Sequence, residues 1–379
     1  MEIIYMDHAA TTPVRPEVID AMTHALREAF GNPSSVHQFG KPVRKLVETA
    51  RYQVAKAIGA NAKEIFFTSG GTEADNLAIV GGARANAHRG KHVITAVTEH
   101  HAVLDACKYL GQEGFEVTFL PVDEFGRVKL ETFRNALRDD TILVSLMHAN
   151  NEIGTLNPIA EIGGICRERG ILFHTDAVQS VGKLPVNVEE LRVDLLTLTG
   201  HKIYGPKGAG ALYVREGVQL EPLVHGGGQE KALRPGTENV PGIVGLGQAI
   251  ELAVAELKEE STRLAALRDR LIHGILTEIQ DSRLNGHPTE RLPHNANFSF
   301  PGVDGQMLIQ ALDMKGIAAS AGSACTSGQV EPSHVLTGIG LEREVALGSV
   351  RLSLGKATSE EDISYVIDQL KELVRQLKH

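Results

Sequence analysis

Cysteine is scarce: Cys107, Cys166 and Cys325 are the only three in 379 residues. They are too few and too far apart to build a disulfide framework. Neither a Cys-x-x-Cys pair nor a His-Glu-x-x-His run occurs, so no resident metal site is expected. No apolar stretch nears the roughly 20 residues that a membrane span requires. The opening MEIIYMDHAA lacks a basic segment followed by an apolar one, so no secretory signal is read there and a cytoplasmic location is expected. Net charge is −9, with lysine and arginine scattered rather than clustered, which argues against direct nucleic-acid binding. Internal repeats and low-complexity tracts are missing as well.

What is present suits a globular enzyme. Hydrophobic residues make up 42% and charged residues 22%, and at about 150 residues per domain the length suggests two or three cores. Val43, Leu46, Val47, Ala50, Val54 and Ile58 recur at helical spacing over Lys41 to Ile58, after a loop at Gly31-Asn32-Pro33-Ser34-Ser35. From residue 64 seven short β-rich runs follow one another: EIFF, KHVITAV, EVTFL, TILVSLMH, ILFHTDA, DLLTLT and GALYV. Helical patterns at Glu73 to Ala85, Ala102 to Gly111 and Ile159 to Arg169 separate several of them. That alternation predicts an α/β fold with a mostly parallel seven-stranded sheet covered on both faces. A ligand then belongs beyond the carboxyl ends of the strands.

Near Pro241 the rhythm stops. One long helical stretch is expected from Ala249 to Ile279, then a strand ANFSF, a helix near Gln306 to Lys315, a loop SAGSACTSGQVEPSH, a strand GSVRLSL and a final helix. Thr358 and Glu361 stand at capping-box spacing ahead of that helix. The reading is a large domain over 13–255 and a smaller α+β domain made of 1–12 and 256–379.

Chemistry-bearing residues collect at the strand ends. Lys202 follows DLLTLT in a Thr-Gly-His turn, a place a lysine seeking water would avoid. Thr68-Ser69-Gly70-Gly71-Thr72-Glu73 closes one strand and opens a helix, where close backbone approach and unpaired N–H groups can cradle a phosphate. Asp176 ends ILFHTDA, His100 and His101 follow KHVITAV, and Asn150-Asn151 follows TILVSLMH. Each alone reads equally as a cap, a turn or a surface residue. Together an anion cradle, an acid, a histidine, an amide and a lysine describe a site for pyridoxal phosphate.

MDHAATTP, GNPSSVHQFG, FTSGGTEADN, TEHHAVL, MHANNEIGT, HTDAVQSVGK, TGHKIYGPKG, HGGGQEKALRPGTENV and SAGSACTSG, spread over nearly the whole chain, closely resemble the cysteine desulfurases of the NifS/IscS type, within the class-V aminotransferases. The resemblance implies the fold-type-I architecture of pyridoxal phosphate-dependent transferases and a homodimer. It also implies that Lys202 carries the cofactor, Asp176 pairs with its ring nitrogen, and His100 stacks on the ring and handles a proton. Gln179 and Asn151 are implied to hydrogen-bond near the ring and substrate. Gly71, Thr72, Thr199 and His201 are implied to hold the phosphate, and Thr237 to reach the phosphate of a partner subunit. Arg351 is implied to clamp the substrate carboxylate. Position 199 often holds serine in the family; threonine keeps the hydroxyl.

Cys325 sits among small residues in a segment with few apolar anchors, so a mobile loop is expected, suited to a nucleophile. By resemblance it takes sulfur from L-cysteine as a persulfide, releasing L-alanine, and passes it to an acceptor: an iron-sulfur scaffold or a tRNA-thiolation enzyme. A transient part for Cys325 in ligating a cluster on such a scaffold is left open. Cys107 and Cys166, inside helical patterns, read as inert core residues. Two alternatives stand beside this one. The chain is a selenocysteine lyase or another pyridoxal phosphate lyase that does not need Cys325, or it is chiefly a sulfur-relay scaffold.

Overall fold

The computed structural model describes residues 3–321, 324–326 and 329–378, with only the backbone described at 324–326, 329 and 330. Seven strands answer the seven β-rich runs: β2 (Ile65–Thr68), β3 (His92–Ala96), β4 (Glu116–Leu120), β5 (Thr141–Ser145), β6 (Leu172–Asp176), β7 (Leu195–Thr199) and β8 (Gly210–Val214). They form one sheet in the order β2-β8-β7-β6-β5-β3-β4. Only β8 runs against the others. The carboxyl ends of β2, β3, β5, β6 and β7 therefore meet along one edge.

Alternation along each strand splits its side chains between two cores. Ile94, Phe173, Leu196 and Leu198 face one side with α2 (Gly40–Ala57), α5 (Ile159–Arg169) and α6 (Val240–Ala255). Val93, Leu172 and Leu195 face the other, against α3 (Gly71–Asn76) and α4 (His101–Gln112). Burial on both faces is why these runs read as continuously apolar. α2 lies where its periodicity placed it, with Val43, Val47, Ala50 and Val54 buried, each valine contributing about 1.5–3 kcal/mol. α1 (Pro16–Glu28) packs against α6.

A separate core gathers around an antiparallel sheet of β9 (Arg283–Asn285), β10 (Asn295–Ser299) and β14 (Ser349–Ser353), in the order β14-β10-β9. α7 (Leu257–Glu278), α8 (Gly305–Met314) and α9 (Glu360–Leu377) pack on it. The N-terminus joins this core: β1 (Ile4–Tyr5) pairs in parallel with β11 (Ile317–Ala318), and Met6 is fully buried there. Met6 also accepts a backbone hydrogen bond from Ser353 at 2.7 Å.

Three details differ from the sequence reading. The long helix is two helices, α6 and α7, bent by 71°. Glu256 ends one and starts the other, its carboxylate held by Arg15 at 3.0 and 2.8 Å and by Lys356. Because the pattern stays helical across the break, periodicity alone cannot reveal it. The capping box of α9 is Ser359 with Asp362, one residue later than expected. The Thr358 hydroxyl instead accepts from the Gly355 N–H at 2.9 Å. Within the segment read as a loop, the backbone of β12 (Ala324–Thr326) pairs antiparallel with β13 (Gln329–Glu331). No single helix among the described residues is long and apolar enough to cross a membrane.

Candidate active site

Where the five strand ends meet lies a cavity of about 390 Å³, lined by residues that include Gly71, Thr72, His100, Asn151, Asp176, Gln179, Thr199, His201, Lys202 and Arg351. Each arrives by local geometry. β7 ends at Thr199, and a 3-10 turn over Gly200–Lys202 swings Lys202 beneath the N-terminal segment. Its Nζ donates to the carbonyls of Ala9 and Ala10 at 2.7 and 2.6 Å. Burial, then Arg351 nearby, lowers the amine to about 8, so neutral amine is available near physiological pH. The same turn ends in Tyr204, held at φ 64°, left-handed for a non-glycine residue. Its N–H donates to Thr12 Oγ1 at 2.7 Å, which anchors the turn to the N-terminal segment.

Asp176 closes β6, and its Oδ1 accepts from the Val178 N–H at 2.9 Å. Burial raises its carboxyl above the ordinary range, while His100 and Lys202 pull it back. His100 caps α4: Nδ1 accepts from the Ala102 N–H at 3.1 Å, so the neutral ring carries its proton on Nε2. Burial lowers this ring below the ordinary histidine range, against the pull of Asp176. Burial also takes His201 down to about 4. Thr199 Oγ1 donates to the Ala209 carbonyl at 3.1 Å, which leaves its lone pairs free to accept.

Arg351 comes from the other core, on β14. Its Nη2 donates to Asp7 Oδ1 at 2.8 Å and its Nη1 to the Asn151 carbonyl at 3.0 Å. Its backbone exchanges hydrogen bonds with Ser320. Cys325 follows Ser320 by five residues, a reach of at most ~18 Å. The Cys325 side chain itself lies outside the described residues.

The lining suits the cofactor that the sequence resemblance implies. Gln179 Oε1, a buried acceptor on the lining, has no hydrogen-bond partner among the described residues, so the cavity wants a donor beside it. The anion end is glycine-lined. A Cβ at Gly210 would fall 2.8 Å from the Gly70 backbone, so only glycine lets β8 start against this loop. The first N–H groups of α3, at Gly71 and Thr72, are then placed to meet a phosphate.

Thr237 is not in this cavity. It is exposed in a neighbouring cleft of about 260 Å³ with Ser69 and Arg234. Sequence reasoning missed Asp75, which burial and Asp176 hold far above the ordinary carboxyl range, and Asp7, the partner of Arg351. Asp75 stands four residues after Gly71, on the same helical face, and that spacing was the available signal. Cys107 and Cys166 are fully buried, and burial raises both thiols, Cys107 to about 12.

The aminotransferase class-V family matches residues 4–366. A curated relative, the cysteine desulfurase IscS of Methanosarcina thermophila, is 55% identical over 99% of this chain and 93% of its own. A solved NifS-like protein superposes with a TM-score of 0.93 at 40% identity, covering 99% of this chain and 100% of that one. The structure of SspA in complex with cysteine gives a TM-score of 0.82 at 38% identity, covering 93% and 98%.

Proposed function

The chain belongs to the class-V aminotransferase family and is a pyridoxal phosphate-dependent cysteine desulfurase, and from that premise we propose what its own residues do. The observation that carries the assignment of roles is the gathering of Lys202, Asp176, His100, Gln179, the Gly71-Thr72 turn and Arg351 around one cavity.

The cofactor, carried on Lys202, supplies an electron sink for negative charge developing on the substrate carbons. Asp176 would hold the ring nitrogen protonated, His100 would pack against the ring, and Thr72, Thr199, His201 and the Gly71 backbone would hold the phosphate. Arg351 exchanges Asp7 for the carboxylate of L-cysteine, a bidentate clamp that lysine cannot copy. Asn151 and Gln179 orient the substrate. Lys202, freed once the substrate amine takes its place and with that free amine lowered to about 8, takes the α-proton and returns it; His100 Nε2 moves a second proton. The Cys325 thiolate attacks the substrate sulfur. The Sγ–S bond forms, the Cβ–S bond breaks with its electron pair going to Cβ, and a proton there completes L-alanine. Cys325 keeps the sulfur as a persulfide.

The finer reading is a cytoplasmic homodimer that supplies iron-sulfur assembly or tRNA thiolation. Exposed Phe30 and Phe39, with ring centroids 5.4 Å apart, and Thr237 set outside its own cavity, support the dimer. The division into a large domain, 13–255, and a small one, 1–12 with 256–379, belongs to the same proposal and is supported by the separate cores. Borohydride reduction of the loaded protein should leave the cofactor adduct on Lys202 in peptide maps. Cys325→Ser should bind cysteine with an unchanged spectrum yet release no alanine without added thiol. An adduct on another lysine, or full alanine release by the serine variant, defeats these assignments.

A further inference from the structure

Lys202 also lines a second, smaller chamber of about 40 Å³ with His8, Lys183, Tyr204 and His294, room for roughly three water-sized bodies. Its polar groups are poorly matched. Lys183 Nζ and both ring nitrogens of His294 are buried with no hydrogen-bond partner among the described residues. His294 is 1% exposed. Burial keeps His294 neutral, with one N–H to donate. That donor and Lys183 Nζ, left without acceptors, cost about 1–3 kcal/mol each, so something in the chamber accepts from them.

Among the described residues that line the chamber, no carboxylate is free for the task. Glu256, at the rim, is held by Arg15 and Lys356, and Glu260 is held by Arg263 at 2.8 and 3.0 Å. His8 donates from Nδ1 to the Ser353 carbonyl at 3.0 Å, and its Nε2 faces Gly355, where a Cβ would come within 2.0 Å of it. Burial pushes the Lys183 amine down to about 7, with Lys202 acting the same way. Water would satisfy the hydrogen bonds here, but only an anion would also return to Lys183 the proton that burial strips from it.

We propose that this chamber binds one small monovalent inorganic anion of halide size, held by Lys183 and His294 on the wall that Lys202 shares with the active-site cavity. The anion supplies the missing acceptor and counter-charge and screens Lys183 from Lys202. It fills a site separate from the one that holds substrate and cofactor, and it does not depend on the roles proposed for sulfur transfer.

Bromide is the probe. Crystals of the loaded enzyme soaked in sodium bromide should show an anomalous peak within hydrogen-bonding distance of Lys183 Nζ. In solution, bromide should raise the melting midpoint of loaded and cofactor-free protein saturably, by about 1–2 °C, where sulfate at equal ionic strength does not. Lys183→Met should abolish the peak and the shift. His294→Asn, which keeps a donor of smaller reach, should weaken the bromide midpoint several-fold and guards against a methionine variant that fails to fold. Density for water alone in the bromide-soaked chamber, or an equal thermal response to sulfate, overturns the site.

Discussion

Burial changes what individual side chains of this protein can do. His148 is buried, bonded to Ser180 at 2.9 Å, and desolvation alone lowers its ring from 6.5 to about 4. Between those values the unfolded chain binds a proton that the folded chain refuses, so stability falls as pH drops from 6.5 towards about 4. In urea melts of wild type and His148→Asn, the wild-type advantage should shrink across that window, by about 1.4 kcal/mol per pH unit. A difference that stays constant with pH contradicts the account. The same physics silences two thiols. With Cys107 raised to about 12 and Cys166 raised as well, iodoacetamide at neutral pH should leave both unmodified in native protein and label both in guanidinium, read by peptide mapping.

Helix ends and turns were the least legible elements, because caps depend on which hydroxyl is already committed. Thr358 had the right spacing but is engaged by Gly355, so Ser359 and Asp362 close the box. Asp362→Ala should lower stability by about 0.5–1 kcal/mol, while Glu361→Ala should stay within about 0.5 kcal/mol. Equal losses in chemical denaturation would restore the earlier register. The bend at Glu256 escaped notice for a related reason: Arg15 and Lys356 lie 241 and 100 residues away in sequence, and no local pattern encodes them. The strands were far more legible, since apolar runs of four or five residues between helical patterns leave little else for the chain to do.

At the scale of the whole molecule, the site is shared between two cores: sheet-edge loops bring Lys202, Asp176 and His100, and the antiparallel sheet brings Arg351. Thr237 extends the question to a second copy. If it completes a partner's phosphate site, Thr237→Ala should weaken cofactor affinity about tenfold or more, and light scattering should give twice the chain mass. A monomer with unchanged affinity would remove Thr237 from the site.

The residue order by itself determined the strand and helix content, the parallel sheet, and the strand ends as the place for chemistry, because period-2 and period-3.6 patterns are local and dominated by burial. It also marked Lys202, Asp176 and His100 as candidates, each by its position after a strand. Only the tertiary structure decided that Asp7 holds Arg351, that Asp75 is buried on the cavity wall with its carboxyl pushed upward, and that Lys183 and His294 face a chamber without partners. Those facts depend on desolvation and on contacts between distant segments, which exist only once the two cores close on each other.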